Sequence, residues 1–318
     1  MKIVIPGGTG QVGRVLTRAF LARGDEVVVL SRAGASDARV VPWDARTLGP
    51  WITEIDRADV VINLAGRSVN CRYTEANLAE MMSSRVDSTR ALGEAIRRST
   101  RPPQVWLQMS TATIYSHRFD APNDEATGRI GGDEPDVPAY WNYSIDIARA
   151  WERSQQEANT PRTRKVALRT AMVMSPDRGG IFDVLLGLTR AGLGGPIAGG
   201  RQFVSWIHDD DFARAVQFLI ERDEMEGPVN LAAPNPLPYR DFMAALRAAS
   251  GTRIGLPATK WMVEIGAFFL RTDSELTLKS RRVVPSRLLH AGFTFHFPLW
   301  PEAARNLVER SRAAKARN

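Results

Sequence analysis

The run Lys2–Gly13, KIVIPGGTGQVG, constrains the fold more than any other stretch of the chain. Ile3, Val4 and Ile5 form a short apolar strand, and Gly7, Gly8, Thr9 and Gly10 then turn the chain. Val12, Val15, Leu16 and Phe20 follow on one face of an amphipathic helix. The glycines fit both Gly-x-x-Gly-x-x-Gly and Gly-x-Gly-x-x-Gly, and each has a mechanical reason. Gly7 and Gly8 permit the tight turn. A side chain at Gly10 would keep the backbone away from a pyrophosphate, and Gly13 lets the helix pack closely on the strand. The helix N-terminus then aims its free N–H groups at phosphate oxygens. An ordinary Gly-rich turn lacks this strand-before, helix-after context. The run therefore predicts a dinucleotide site, with Thr9, Gln11 and Val12 beside the glycines.

Strand and helix patterns alternate after it. Strands are expected over Glu26–Leu30, Arg39–Pro42, Val60–Leu64, Val105–Met109 and Val166–Thr170, and helices over Gln11–Arg23, Glu75–Arg98 and Tyr140–Glu157. Apolar strands alternating with amphipathic helices imply an α/β fold, a doubly wound parallel sheet covered on both faces. Ser116–Pro138 is long, polar and rich in Gly and Pro, as loops that serve a site often are. Beyond about Ser175 the chain becomes Gly-rich, with helices near Asp210–Glu221, Tyr239–Ser250 and Ala258–Leu270, a strand at Gly227–Leu231 and a last helix after Pro301. The expected division is a Rossmann domain over 1–174 and a smaller, mostly helical lobe over 175–318, with interleaving segments.

Composition narrows the function classes. With 44% hydrophobic and 24% charged residues in 318, the chain is that of a soluble globular protein. No apolar run reaches membrane-spanning length, and the chain enters a strand at once, so neither a membrane partner nor a signal peptide is expected. Cys71 is the only cysteine, which suits a reducing cytoplasm. The four histidines show no metal-ligand spacing, and no metal is expected. The net charge of +7 comes mostly from scattered arginines and from the tail RSRAAKARN, a pattern that argues against a nucleic-acid partner.

GGTGQVG, NLAG at Asn63–Gly66 and LRTAMVMSPDRGG from Leu168 resemble the extended short-chain dehydrogenase/reductases. GLGGPIAGGRQFVSWIHDDD from Gly192 and DSELTLKSRRVVPSRLLHAGFTF from Asp273 resemble the nucleoside-diphosphate-sugar-epimerase-like branch. That branch carries a small C-terminal domain of unknown function, here at about 250–300. The resemblance implies a nicotinamide cofactor on the Rossmann domain and a small-molecule or nucleotide-linked substrate between the two parts, in a monomer or homodimer.

The second strand, EVVVL, ends in Ser31 and Arg32 with no carboxylate to hold a ribose 2′-OH. A hydroxyl and a guanidinium suit a 2′-phosphate, so NADP(H) is expected over NAD(H). Arg32 could also be a solvated loop arginine, with Asp37 curling back as the carboxylate. Asp44 stands where this fold contacts the adenine amino group, or caps a helix start. Leu64, Ala65 and Gly66 would keep the strand end bare for the cofactor. Arg85 falls where relatives place a cofactor-contacting asparagine, though it reads equally as a helix-surface arginine.

Active relatives combine Ser/Thr with Tyr-x-x-x-Lys. STATIY supplies Thr111, with Ser110 beside it and Tyr115 as an alternative acid. Tyr143 opens YSIDI, but Ile147 stands where the lysine belongs; a shift of one residue pairs Asn142 with Asp146 instead. Arg149 is off the facing side of the helix. An unassisted tyrosine has a pKa of about 10, leaving on the order of a thousandth ionised at pH 7. Arg201 and Gln202 could meet a substrate phosphate or carboxylate, and His208 borders the expected pocket, with Asp209 or Asp210 capping the helix after it. Two functions follow. One is an NADP(H)-dependent oxidoreductase or epimerase-like enzyme acting on a small or nucleotide-linked carbonyl or alcohol. The other is a non-catalytic NADP(H)-binding, division-inhibitor-like protein read by a protein partner.

Overall fold

The computed structural model describes residues 1–318 apart from 33, 35, 136, 259–274 and 317–318. The helix expected over Ala258–Leu270 lies, Ala258 apart, outside the described residues.

Seven parallel strands build one sheet: β1 (Lys2–Pro6), β2 (Glu26–Ser31), β3 (Arg39–Pro42), β4 (Val60–Asn63), β5 (Val105–Thr111), β6 (Arg164–Thr170) and β10 (Gly227–Leu231). Their order is β10-β6-β5-β4-β1-β2-β3. The chain leaves β1 for β2 on one side and later returns to β4 on the other, which places the topological switch at β1. β1, β2 and β4 are apolar at nearly every position because helices cover both faces. Helix α1 (Gln11–Ala22) buries Val15, Leu16 and Phe20 on one face, and α3 (Glu75–Arg98) and α4 (Asn142–Gln156) pack on the other. Thr74 caps α3 by accepting from Asn77 N, and Glu94 pairs with Arg97 and Arg98 at its end. The outermost strand, β10, comes from the second half of the chain, so the sheet extends past residue 174.

The second half is mostly helical, as expected, with short strand pairs among its helices. β7 (Met172–Met174) pairs with β9 (Trp206–His208), and β8 (Phe203–Val204) with β11 (Leu237–Pro238). Around them α5 (Ile181–Arg190), α7 (Tyr239–Ser250) and the last helix, Trp300–Ala316, enclose a second core. Trp300 stacks on Phe242 at 4.0 Å, meets Trp206 edge-on at 5.0 Å, and donates from Nε1 to Phe242 O at 2.8 Å. That bond removes the polar cost of burying the indole.

The long loop after β5 is an attachment strip. Asn123 N donates to Arg282 O at 2.7 Å, and Val284 N to Asn123 O at 3.0 Å. Ser205 Oγ donates to Arg281 O and accepts from Val283 N. Residues 279–284 are thereby held between this loop and β8.

Candidate functional site

A cleft of about 230 Å³ opens at the C-terminal ends of β1, β2 and β4, the place where open α/β sheets bind ligands. Gly7, Thr9 and Gly10 form its floor; Leu30, Ser31 and Arg32 form one wall, and Leu64, Ala65 and Gly66 the other. Asp44 lines it too.

The glycines divide by task. Gly7 has φ +78°, and a Cβ there would lie 2.7 Å from Ala65 N. A Cβ on Gly13 would lie 2.2 Å from Gly8 O, so Gly13 is a packing glycine behind the turn. At Gly10 the nearest atom to a Cβ would be Gly7 O at 3.8 Å, so that face is open. No side chain caps α1 and no acidic residue occupies its first turn among the described residues, so no side chain there competes with an anion for its first N–H groups. A cradle of this kind fits a pyrophosphate. Gln11 turns away from the cleft against Gly180, and Val12 packs on the main core.

Asn63 fixes the opposite wall. Its Oδ1 accepts from Ala65 N at 3.1 Å, and its Nδ2 donates to Gln108 Oε1 at 3.0 Å. Thr9 Oγ1 and Ser31 Oγ lie 3.2 Å apart, joining floor to wall, and Arg32 stands exposed at the rim. Asp44 performs its local duty: its carboxylate accepts from Arg46 N, Thr47 N and Thr47 Oγ1. The Thr47 hydroxyl and the two amides hold it below the usual carboxylate range. Sequence reasoning missed three charged lining residues, Arg46, Arg67 and Glu80. Arg67 pairs with Glu80 and donates to Asn77 Oδ1, and Arg46 lies 3.7 Å from Asp87. For the two arginines, loop charges after strand ends were the available signal; Glu80 lies within α3.

Arg85 is neither on the helix surface nor on the cleft wall. It is 9% exposed, donates to Met81 O and stacks over Trp151 at 4.8 Å, directly beneath Gly66. Burial pushes its guanidinium down to about 10, so it stays charged at neutral pH.

The hydroxyls after β5 separate. Ser110 donates to Glu152 Oε1 at 2.6 Å, and Glu152 takes a two-pronged pair from Arg169 at 2.9 Å. Arg169 also donates to the Tyr115 hydroxyl, which donates to Asn230 Oδ1 at 2.9 Å. Ser110 and Tyr115 therefore belong to a buried network, and burial raises the Tyr115 phenol despite Arg169. Thr111 ends β5 half-buried, its Oγ1 accepting from Thr113 N at 3.1 Å. Tyr143, in the first turn of α4, is 45% exposed, and Asp146 is exposed as well. Ile147 is buried with Leu78 and Met81, so the position of the missing lysine faces an apolar cluster.

A smaller cavity of about 40 Å³ lies between β8, α5 and α7. Gln202 lines it, and so do Lys279 and Arg281 from the C-terminal segment. Arg201 does not line it and is exposed. His208 is away from both cavities at 1% exposure. Its Nδ1 caps α6 (Asp209–Glu221) by accepting from Asp210 N, an amide that Asp209 Oδ1 also accepts from at 3.1 Å. Its Nε2 meets Asn306 at 3.1 Å and its ring stacks on Phe297 at 3.9 Å. The fold also brings His296 to Asp210 and Asp211, which sequence spacing hides. Asp211 is occupied there by the backbone N–H groups of His296 and Phe297 and by Arg214.

Comparison with known proteins agrees with this geometry. The profile of the NAD dependent epimerase/dehydratase family matches residues 3–232, and that of a domain of unknown function, DUF1731, matches 258–307. The epimerase family protein SDR39U1 of Bos taurus is 31% identical over 97% of this chain and 100% of its own length. The crystal structure of human SDR39U1 (isoform 2) with NADPH superimposes with a TM-score of 0.84 at 30% identity, covering 97% of this chain and 99% of that one. A nucleoside-diphosphate sugar epimerase from Corynebacterium glutamicum gives 0.75 at 26% identity, covering 99% of this chain and 61% of that one. A switch-point cleft floored by a glycine turn, matched over most of the sheet, places the chain in the NAD dependent epimerase/dehydratase family.

Proposed function

We propose that the chain is an NADP(H)-dependent oxidoreductase or epimerase-like enzyme acting on a small or nucleotide-linked carbonyl or alcohol. The observation that carries this reading is the Gly10 face, open at the helix N-terminus, with Ser31 and Arg32 on the adjoining wall. Gly7–Gly10 and the first turn of α1 would hold the pyrophosphate, and Ser31 and Arg32 the 2′-phosphate. Leu64, Ala65 and Gly66 would carry the cofactor across the strand end, and the bound cofactor supplies a hydride. The related human protein crystallised with NADPH supports this choice of cofactor. Thr111 orients the substrate oxygen, with Tyr143 on the neighbouring helix end and Gln202 in the inner cavity.

One observation favours a second reading, a non-catalytic NADP(H)-binding protein: the lysine position is filled by a buried isoleucine. The deciding experiment is fluorescence titration with NADPH and NADH, followed by NADPH oxidation with a panel of aldehydes, ketones and nucleotide-linked sugars. NADPH binding with turnover of at least one carbonyl upholds the enzyme. Binding without turnover upholds the second reading, and absence of binding overturns both.

A further inference from the structure

The C-terminal segment delivers a lysine to the end of β5. Lys279 Nζ donates to Thr113 O at 2.9 Å and lies 3.6 Å from Glu275 Oε1. Arg281 Nε donates to Thr113 Oγ1 at 3.2 Å, and Thr113 N donates to Thr111. From the other side Ser144, next to Tyr143, donates to Glu275 Oε2 at 2.6 Å. Lys279 therefore sits against Thr113, which in turn bonds Thr111, and is tied through Glu275 to Ser144 in the first turn of α4. It is 2% exposed and lines the inner cavity, whose 40 Å³ has room for a few water-sized groups.

We propose that Lys279 is the acid–base group of this site, serving a carbonyl or alcohol oxygen that enters the inner cavity Lys279 lines. This rests on the enzyme reading above. In the reducing direction the carbonyl carbon takes a hydride from the reduced nicotinamide. The oxygen takes a proton from Nζ: an N–H bond breaks, an O–H bond forms, and the amine regains its proton from water. Oxidation is the reverse.

Three features support it. The helix position that would hold a lysine is apolar, so a cation has to come from elsewhere. Only five of the 42 basic residues are lysines, and one of them is placed here, although arginine cannot give up its proton near neutrality. Burial pushes the ammonium down to about 8, against the pull of Glu275, close to the working range of a general acid. The charged and titratable groups around it are Glu275, Arg281, Glu134 and His117.

The test uses the full chain and two measurements. First, glyoxylate with cyanoborohydride converts neutral, reachable amines to carboxymethyl-lysine, and mass mapping separates the five lysines. At pH 7.5 an amine with a pKa near 8 is on the order of a hundredfold more neutral than an ordinary lysine. Lys279 should therefore be modified at least tenfold faster than the exposed Lys315. Second, Lys279→Met and Lys279→Arg are assayed with NADPH and the carbonyl panel, with thermal melts to confirm folding. The parent should lose reductase activity as pH rises through about 8. Lys279→Arg should flatten that limb, and Lys279→Met should fall by about 10²–10⁴ with NADPH affinity kept. Turnover with Lys279 unmodified, or with its pH limb unmoved in Lys279→Arg, overturns the acid–base role alone. Modification of Lys279 in a chain that reduces nothing overturns the enzyme reading, and the acid–base role with it.

Discussion

Gly10 and Gly13 stand three residues apart in one turn, and the structure assigns them opposite consequences on substitution. A Cβ at Gly13 would sit 2.2 Å from Gly8 O and 2.4 Å from Gly8 C. Both are backbone atoms, so the turn itself must move; overpacking of this kind costs about 1–3 kcal/mol or more. At Gly10 the nearest atom would be 3.8 Å away, and the residue has φ −72° and ψ 173°, which β-branched residues adopt without strain. Replacing a glycine N-cap by valine loses cap preference but also removes freedom from the unfolded chain. Each effect is up to about 1 kcal/mol, and they oppose one another. Gly10→Val should therefore melt within about 3 °C of the parent while its side chain fills the space meant for the pyrophosphate. Gly13→Ala should melt several degrees lower. The assay pairs circular-dichroism melting with NADPH fluorescence titration on both variants. Normal NADPH binding by a folded Gly10→Val, or parent-like melting of Gly13→Ala, refutes the division of labour.

Arg32→Ala should weaken NADPH by roughly ten- to a hundredfold, the worth of one charge-assisted contact at about 1.5–3 kcal/mol, and leave NADH nearly unchanged; calorimetry with both cofactors checks this. Glu152→Gln strips the buried Arg169 of its carboxylate and should cost about 3–5 kcal/mol in urea unfolding. The exposed Arg129–Asp133 pair is the contrast: Arg129→Ala should cost no more than about 1 kcal/mol. Burial holds the His208 imidazole below its ordinary value of 6.5, so between that value and its folded value the unfolded chain binds the proton more readily. Stability should fall as pH drops from 7 towards 5, and His208→Asn should flatten part of that slope in urea midpoints.

The sheet and its cleft were legible because their causes are local. Apolar runs, helical periodicity and a glycine turn each speak within a dozen residues, and β10 and α7 carry the bounds expected of them. Ser31, Arg32 and Ala65 reach the cleft because a strand end fixes where the next residues go. What escaped was set by distant partners. His208 looked pocket-facing until Asn306 and Phe297 from the C-terminal stretch covered it. Ser110 looked like an alternative to the Thr111 hydroxyl, and Tyr115 like an alternative acid, until Arg169 and Glu152 enclosed them. Lys279 gave no signal beyond its rarity, since its partner Thr113 is 166 residues away.

That separation also orders the birth of the molecule. A chain made from its N-terminus can close β1, α1 and β2 early, because their contacts are short in sequence. Residues 279–284 are made long after Asn123 and Ser205, and only then can those two residues seize them. The loop Ser116–Pro138 waits without its partner strip until residues 279–284 have been made. A nascent chain could therefore hold a nucleotide on its glycine turn well before it has an inner cavity. The inner cavity therefore takes shape later than the sheet that carries the glycine turn.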